Sequence, residues 1–244
     1  MNDLQSVVIN ETGLSLDEIK QLRNMGFEVA EQGSDEWHQE RLGLATASRF
    51  YDIVNWTKGR KLKDGSWSEE PKPQATWYSY RNELLAERIS GHEKRFSSKP
   101  MEWGITHEQD AADAYELETG NVVGTVGFIK HPDMDAGASL DRIVREDGIV
   151  EIKAPNTDTM ISYVLNNAPP PNYWTQMQGQ MWISGRTWGD FVVFDPFLSN
   201  IFIKRIERDD EFINNVLVPR LKKFLAEVDS KEQWLREQGY GAAE

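Results

Sequence analysis

Residues 137–153 read Gly137-Ala138-Ser139-Leu140-Asp141-Arg142-Ile143-Val144-Arg145-Glu146-Asp147-Gly148-Ile149-Val150-Glu151-Ile152-Lys153. The runs 138–144 and 149–153 favour β-strands, and the four residues between them are typical of a tight hairpin turn. Because side chains alternate along a strand, Glu151 and Lys153 share one face while Ile152 points into the core. The hairpin folds Asp141 back beside Glu151. The sequence therefore predicts two carboxylates and one ammonium group gathered at the end of a sheet.

This set of charges is suited to divalent-metal chemistry. Carboxylate oxygens are the hard ligands that Mg²⁺ and Mn²⁺ prefer, and these ions retain water positions that a substrate phosphate can occupy. Lys153 is expected to hold or deprotonate the attacking water and to offset the charge of the transition state. A Glu-x-Lys triplet is also common on solvated strand faces, and a cross-strand ion pair has the same pattern. The triplet alone therefore leaves a structural ion network open.

The patterns on either side of the hairpin predict helices around a sheet. Helices are predicted at 34–42, 76–89, 101–118, 158–166, 172–184 and 209–228, the last with a kink at Pro219. Another is predicted to begin near 46–48, and a capping box at Ser15 predicts one near the start. Further strands are predicted at 27–30, 122–130, 190–194 and 201–206. We therefore expect an α/β (α+β) fold with a central mixed sheet flanked by helices. A single domain over 1–244 is expected, with a core at about 31–206 and C-terminal helices over 207–244.

Composition limits the classes of protein that the chain can represent. Its 244 residues contain no cysteine, which excludes disulfide scaffolds, cysteine-ligated zinc and thiol catalysis. No apolar run approaches the roughly 20 residues of a membrane span, and the start lacks a signal pattern. A cytoplasmic protein without membrane contact is therefore expected. The net charge of −13 argues against a surface coated for nucleic-acid binding.

The charge is unevenly distributed, because residues 56–99 contain ten Lys or Arg against six Asp or Glu. Within this tract, residues 55–75 combine basic side chains with glycine and proline, which predicts an irregular loop. Loops of this length in a compact domain are usually functional or disordered. A basic tract inside an acidic shell is compatible with a polyanion bound in a channel or cleft. On composition alone, solvated surface is the favoured interpretation.

Three more segments form an ordered series with the hairpin. They are Arg41-Leu42-Gly43-Leu44-Ala45-Thr46-Ala47-Ser48, Met101-Glu102-Trp103-Gly104-Ile105-Thr106-His107-Glu108 and Tyr173-Trp174-Thr175-Gln176-Met177-Gln178-Gly179-Gln180-Met181-Trp182. Together the four segments resemble the lambda exonuclease (YqaJ-type viral recombinase) family within the PD-(D/E)xK nuclease superfamily. The resemblance extends from about residue 31 to residue 195, and it implies a restriction-endonuclease-like sheet.

The resemblance assigns roles in metal binding and catalysis. The metal ligands that it implies are Asp141, Glu151, the carbonyl group of Ile152 and, near a second metal position, Glu108. It implies that Lys153 is the catalytic lysine and that Gln176 helps to orient the site. Mg²⁺ is the implied cofactor, and Mn²⁺ is expected to substitute for it.

The resemblance also implies a DNA-binding set. Arg41, Thr46 and Ser48 match positions that hold a terminal 5′-phosphate. Arg60, in the basic loop, is expected to assist them. Met101 matches the position of an apolar wedge that splits the terminal base pair.

One part of the hairpin departs from the family pattern. The family's usual Ser-Pro-Asp-Gly is Ser139-Leu140-Asp141-Arg142 in this chain. Loss of the proline is tolerable, since its role is to shape the strand. Arg142 adds bulk beside the metal positions, and it strains the backbone if the family's glycine has a positive φ. Alternatively, Arg142 supplies a contact to phosphate.

These observations lead to one expected function and three alternatives. The resemblance implies a Mg²⁺-dependent 5′→3′ exodeoxyribonuclease that degrades one strand of double-stranded DNA from its ends and leaves a 3′ overhang for strand annealing. It also implies a ring-shaped homotrimer, a single-strand annealing protein as partner, and a phage or prophage gene expressed in the bacterial cytoplasm. The alternatives are an endonuclease or structure-specific nuclease of the same superfamily, a catalytically silent DNA-binding module, and a structural ion network.

Overall fold

The computed structural model describes residues 32–57, 62–64, 71–94, 98–198 and 200–241. The predicted helix at Ser15, the predicted strand at 27–30 and Arg60 lie outside these residues. The helices are α1 (Asp35–Arg41), α2 (Phe50–Val54), α3 (Ala75–Ser90), α4 (Lys99–Thr119), α5 (Thr157–Asn166), α6 (Pro171–Ser184), α7 (Asp210–Phe212) and α8 (Val218–Glu237). A 3₁₀ turn (Ala47–Arg49) precedes α2, and a π-helical segment (Ile213–Leu217) joins α7 to α8.

The strands form a five-stranded and a three-stranded sheet. They are β1 (Ala45–Thr46), β2 (Val123–Gly124), β3 (Ile129–Lys130), β4 (Ala136–Ala138), β5 (Arg142–Val144), β6 (Gly148–Lys153), β7 (Trp188–Val193) and β8 (Phe202–Glu207). The larger sheet has the order β2-β5-β6-β7-β8, with β6 and β7 parallel and the other neighbours antiparallel. The smaller has the order β1-β4-β3. The predicted mixed α/β fold with helices around a mixed sheet is confirmed.

The sequence predicts continuous strands over 122–130 and 138–144, and the structure shows that neither is continuous. Each divides into two short strands that belong to different sheets. The ladder between β5 and β6 ends where Arg142 pairs with Val150. Beyond it, the backbone N–H of Ile152 donates to the carboxylate of Asp141 instead of to a strand carbonyl. The segment 122–130 follows the same break. Its first strand, β2, pairs with β5 in the larger sheet, and its second, β3, pairs with β4 in the smaller sheet.

The C-terminal helix also differs from its prediction. It continues to Glu237 rather than ending at 228, and its start is interrupted by the π-helical segment. Pro219 lies in the first turn of α8. A proline is tolerated there because its missing N–H has no partner within the helix. The change of helical pitch just before Pro219 takes the place of the predicted kink.

The larger sheet lies between two layers of helices. On one face, Val150 and Ile152 pack in a buried cluster with Ala111 and Tyr115 of α4. On the other face, Ile149 belongs to a cluster that α2, α3, α6 and α8 complete. The alternation of β6 thus directs neighbouring residues to opposite layers. In the part of the chain that the structure describes, no helix has both the length and the hydrophobicity to span a bilayer.

Helix α6 packs closely against the 3₁₀ turn and α2, and Gly179 makes this close packing possible. A Cβ atom at Gly179 would lie 2.5 Å from the ring of Phe50 and 3.4 Å from the Cβ of Ala47. Both neighbours are buried, so neither has free space to move into. The absence of a side chain at Gly179 therefore sets the distance between α6 and α2.

We expect Gly179→Ala to lower the free energy of unfolding by about 1–3 kcal/mol, because overpacking forces side chains and backbone to shift. Chemical denaturation of the purified protein measures this change. Gly104→Ala is the matched control, since Gly104 lies inside α4 and a Cβ there meets nothing within 4 Å. That control should raise stability by up to about 1 kcal/mol through helix propensity. Equal effects of the two substitutions would contradict the packing argument.

Candidate metal-dependent nuclease site

Glu151 is the centre of the site. It lies in β6 on the face that α6 covers, and its side chain is fully buried. Its Oε1 accepts a hydrogen bond from Gln176 Nε2 at 2.7 Å and lies 2.5 Å from Lys153 Nζ. Its Oε2 accepts a hydrogen bond from Gln180 Nε2 at 2.6 Å. Three donors from α6 and β6 therefore hold one carboxylate in a single orientation.

Asp141 reaches the same place from the segment that precedes β5. Its Oδ2 accepts the backbone N–H of Ile152 at 2.8 Å and lies 3.9 Å from Lys153 Nζ. One ammonium group therefore contacts both carboxylates, as the alternation of β6 and the hairpin predict. The structure brings Asp141, Glu151 and Lys153 together.

The electrostatics of the three groups are strongly coupled. Burial first, and then the negative charge of Asp141, raise the pKa of Glu151 to about 7 against the opposing effects of Lys153 and Gln180. Burial acts to lower the pKa of Lys153, but Glu151 and Asp141 outweigh burial and raise that pKa well above its usual range. Lys153 is therefore held protonated as a hydrogen-bond donor, which does not support the expected deprotonation of water by this residue.

The donor set fits a hard divalent cation. Two carboxylates and the carbonyl of Ile152, which directly follows Glu151 in sequence, supply only oxygen. The mutual repulsion of Asp141 and Glu151 is the kind of unfavourable charge that such an ion relieves. Among the residues that the structure describes, however, no group of three or more His, Asp or Glu side chains is arranged to hold a metal ion. Glu108 lies near enough to Asp141 and Lys153 for their charges to affect its pKa, but it does not complete such a group.

Glu108 instead forms an ion pair with Arg142. The guanidinium Nη1 of Arg142 lies 2.5 Å from Glu108 Oε1 and also donates to the backbone carbonyl of Asp141 at 2.5 Å, while Nη2 donates to Gln109. Arg142 is buried. Burial and the charge of Asp141 raise the pKa of Glu108, and Arg142 opposes the rise. The guanidinium thus neutralises the carboxylate to which the sequence assigns a metal.

Two expectations concern Arg142: backbone strain and a contact to phosphate. Among the described residues other than glycine, positive φ values occur only at Arg145 and Asn167. The expected backbone strain at Arg142 is therefore wrong. A role as a phosphate contact is not supported either, because the guanidinium is buried against Glu108 and Gln109.

A second cationic feature lies beside this site. The guanidinium of Arg41, at the end of α1, lies 3.9 Å from the centre of the Trp37 ring. Its Nε is buried and has no hydrogen-bond partner among the described residues. Burial lowers the pKa of Arg41, and the charge of Glu93 opposes the change. A desolvated guanidinium with an unpaired N–H is a candidate site for an anion.

Two hydroxyl groups lie in the segment that follows Arg41. Thr46 Oγ1 lies 3.2 Å from Ser48 Oγ, and the Thr46 backbone N–H donates to the Tyr80 hydroxyl. The charges of Arg41 and Tyr80 influence each other, so these groups share one neighbourhood. Arg41, Thr46 and Ser48 are therefore placed around Tyr80.

The remaining assigned residue, Met101, lies in the first turn of α4. Its side chain is about half exposed. An exposed methionine on this helix is free to contact a ligand, as its predicted role requires.

Three residues that the structure places at the site were not predicted from the sequence. Gln180 contacts Glu151, Tyr173 places its ring centre 5.1 Å from Lys153 Nζ, and Trp37 donates from Nε1 to Ser139 Oγ at 3.0 Å. The spacing of Gln176 and Gln180 contained a signal, because residues four apart share a helix face. No comparable signal in the sequence indicates the contact between Trp37 and Ser139, which are 102 residues apart.

A mixed sheet flanked by helices, with an Asp-Glu-Lys set on and beside its central strand β6, is the arrangement that the motif series predicts for a nuclease. Residues 36–187 match the family model of the YqaJ-like viral recombinase domain. The chain belongs to that family. No curated protein matches the chain.

Solved structures extend this result. An alkaline exonuclease from Laribacter hongkongensis, LHK-Exo, is 36% identical, with a TM-score of 0.74. The match covers 84% of this chain and 98% of LHK-Exo, whose structure is also known in complex with dAMP. A phage-related exonuclease from Haemophilus somnus 129PT shares the fold at 17% identity, with a TM-score of 0.59 over 80% of this chain and 96% of that one.

We expect Arg142→Met to lower the free energy of unfolding by about 1–3 kcal/mol, because it leaves Glu108 half-buried without its partner. The double variant with Glu108→Gln should recover part of this loss, and a double-mutant cycle in urea measures the coupling. Arg208→Met is the control, since the pair of Arg208 with Asp210 is more exposed and should contribute about 1 kcal/mol or less. No coupling between positions 108 and 142 would show that the ion pair is not formed in solution.

Proposed function

We propose that the chain is a Mg²⁺-dependent 5′→3′ exodeoxyribonuclease that degrades one strand of double-stranded DNA from its ends and leaves a 3′ single-stranded overhang. The observation that carries the proposal is the convergence of Asp141 and Glu151 on the ammonium group of Lys153. The likeness to an exonuclease at 36% identity supports it. The complex of that relative with dAMP, a nucleoside monophosphate, supports release of single nucleotides.

Asp141, Glu151 and the carbonyl of Ile152 are the residues that would hold Mg²⁺, and Mn²⁺ is expected to substitute. Glu108 stays a predicted ligand. Its Oε1 is paired with Arg142 in this structure, and this oxygen must separate from the guanidinium before it can bind a metal. When bound, a divalent ion supplies activation of water and stabilisation of the leaving oxygen.

The protein's own groups have distinct tasks in this proposal. Lys153 keeps its proton between two carboxylates and donates it in hydrogen bonds, so it offsets negative charge on a phosphate beside it. Gln176 holds Glu151 in orientation through Oε1. The Tyr173 ring lies against the Lys153 ammonium and limits the directions in which it can point.

The terminal phosphate of the DNA is proposed to bind at Arg41, with Thr46 and Ser48 as hydroxyl donors. The unpaired buried Nε of Arg41 supports this assignment. Met101, exposed on α4, is proposed to separate the terminal base pair. Arg60 is proposed to assist at the phosphate.

The proposal extends to the assembly and its setting. A homotrimer is proposed, with DNA in a central channel, and a single-strand annealing protein is the proposed partner in recombination. Membership of a viral recombinase family supports a phage or prophage gene acting in the bacterial cytoplasm. An acidic exterior with positive charge confined to the channel is consistent with a net charge of −13.

Digestion of an end-labelled linear duplex with Mg²⁺ tests the reaction. The parent should release mononucleotides from the 5′ end of each strand, while Lys153→Met should lose about 100-fold or more in turnover, because the positive charge beside the phosphate is removed. Some loss of stability is expected as well, since buried Glu151 loses one of its donors. A structural ion network predicts the loss of stability with no change in activity of any kind.

Covalently closed circles provide the second substrate in the same assay. An exonuclease leaves them intact, whereas cutting of circles would identify an endonuclease. The absence of nucleotide release with Mg²⁺ and with Mn²⁺ would identify a catalytically silent module.

The assignment of Arg41 is tested with duplexes that carry a 5′-phosphate or a 5′-hydroxyl. Arg41→Met should slow digestion of phosphorylated ends by about 10- to 100-fold, which corresponds to one charged hydrogen bond, and should leave hydroxyl ends nearly unchanged. Arg49→Met is the matched control. Arg49 also lies over an aromatic ring, that of Tyr80, but Asp52 and Glu83 already neutralise it. Equal losses on both kinds of end would remove Arg41 from the phosphate site.

A further inference from the structure

Gln180 joins two segments of the site. It lies one turn after Gln176 in α6 and is 1% exposed. Its Nε2 donates to Glu151 Oε2 at 2.6 Å and to the backbone carbonyl of Ser139 at 3.0 Å. Gln176, by contrast, bonds to Glu151 alone among the described residues. One amide nitrogen therefore contacts both the strand that carries Glu151 and the segment that leads to Asp141.

The orientation of this amide is fixed by its neighbours. A carbonyl oxygen and a carboxylate both accept hydrogen bonds, so the NH₂ group must face them. The reversed amide would place Oε1 against two acceptors. In the observed orientation, Oε1 is buried and has no partner among the described residues. An apolar side chain of similar length would avoid that unfavourable burial, so packing alone does not explain a glutamine here.

Gln180 bridges Glu151 and Ser139 at the point where the hydrogen-bonded pairing of β5 with β6 ends. Regular pairing of β5 with β6 stops at Arg142 and Val150. Beyond it, three contacts join the segments: the bond from the Ile152 N–H to Asp141, the ion pair of Lys153 with Asp141, and the bridge of Gln180. Because Ser139 is two residues before Asp141, the Gln180 amide sets the separation of the two carboxylates.

We propose that Gln180 is a positioning residue, which fixes Glu151 and Asp141 at the separation that a divalent cation requires. The inference rests on the proposed function, since it concerns the metal ligands of that site. Gln180 touches neither substrate nor metal in this proposal. Groups that orient metal ligands typically change metal affinity about 10- to 100-fold when they are lost.

The chain offers a matched control two residues away. Gln178 lies in the same helix, is fully buried and also joins two segments, because it donates to the Glu207 carbonyl and accepts the Asp209 N–H. These partners lie at the end of β8 and just before α7. Gln178 therefore has the same chemistry and burial as Gln180 but no contact with the metal ligands.

The test is a calorimetric titration of Mn²⁺ into the metal-free, full-length protein. Gln180→Met should weaken Mn²⁺ binding about 10- to 100-fold, while Gln178→Met should bind as the parent does. Thermal unfolding of the metal-free proteins should show a comparable loss of stability for both. Nuclease assays over a range of Mg²⁺ should show a higher half-saturating concentration for Gln180→Met, with turnover at saturation within about threefold of the parent.

The possible failures are distinct. Parent-like Mn²⁺ affinity in Gln180→Met overturns the positioning role and leaves the nuclease proposal intact. Failure of the parent itself to bind Mn²⁺ overturns both. If Gln180→Met does not fold, Gln180→Asn replaces it, because its shorter amide can reach one acceptor but not both. Weaker Mn²⁺ binding by that variant supports the role, and unchanged binding overturns it.

Discussion

The site depends on keeping one fully buried carboxylate in place. Removing a carboxylate from water costs several kcal/mol, which only close and well-directed donors offset. Glu151 receives them from Gln176, Gln180 and Lys153. Two of the three come from α6, so this helix must lie close to β6. Gly179 is part of the same constraint, because its lack of a side chain allows α6 to pack tightly against Phe50 of α2.

The alternation of β6 explains which groups the site contains and which it does not. Glu151 and Lys153 face α6, whereas Val150 and Ile152 face α4. Arg142 pairs with Val150 in the ladder, and its guanidinium contacts the α4 residue Glu108. Glu108 is therefore held from the α4 layer, whereas Glu151 is held from the α6 layer. The charges of Asp141 and Lys153 still act on Glu108, so the two layers meet at one site.

The parts that could be predicted from the sequence are those that local rules determine. Strand alternation and the hairpin turn place Glu151, Lys153 and Asp141 together, and an ordered series of motifs identifies the family. The break at Asp141 could not be predicted, because a side chain replaces a strand carbonyl as the acceptor for Ile152. The pairing of Glu108 with Arg142 joins residues 34 apart, and no periodicity relates them.

A single residue connects the two halves of the candidate site. The Ser139 hydroxyl accepts from Trp37, whose ring lies under Arg41, and its carbonyl accepts from Gln180, which holds Glu151. The Arg41 neighbourhood and the two carboxylates are thus attached to one segment. If Arg41 binds a terminal phosphate as proposed, this attachment fixes the distance from the DNA end to the reacting phosphodiester. A fixed distance of that kind favours removal of nucleotides from an end over cleavage at internal positions, because an internal site offers no terminal phosphate to occupy Arg41.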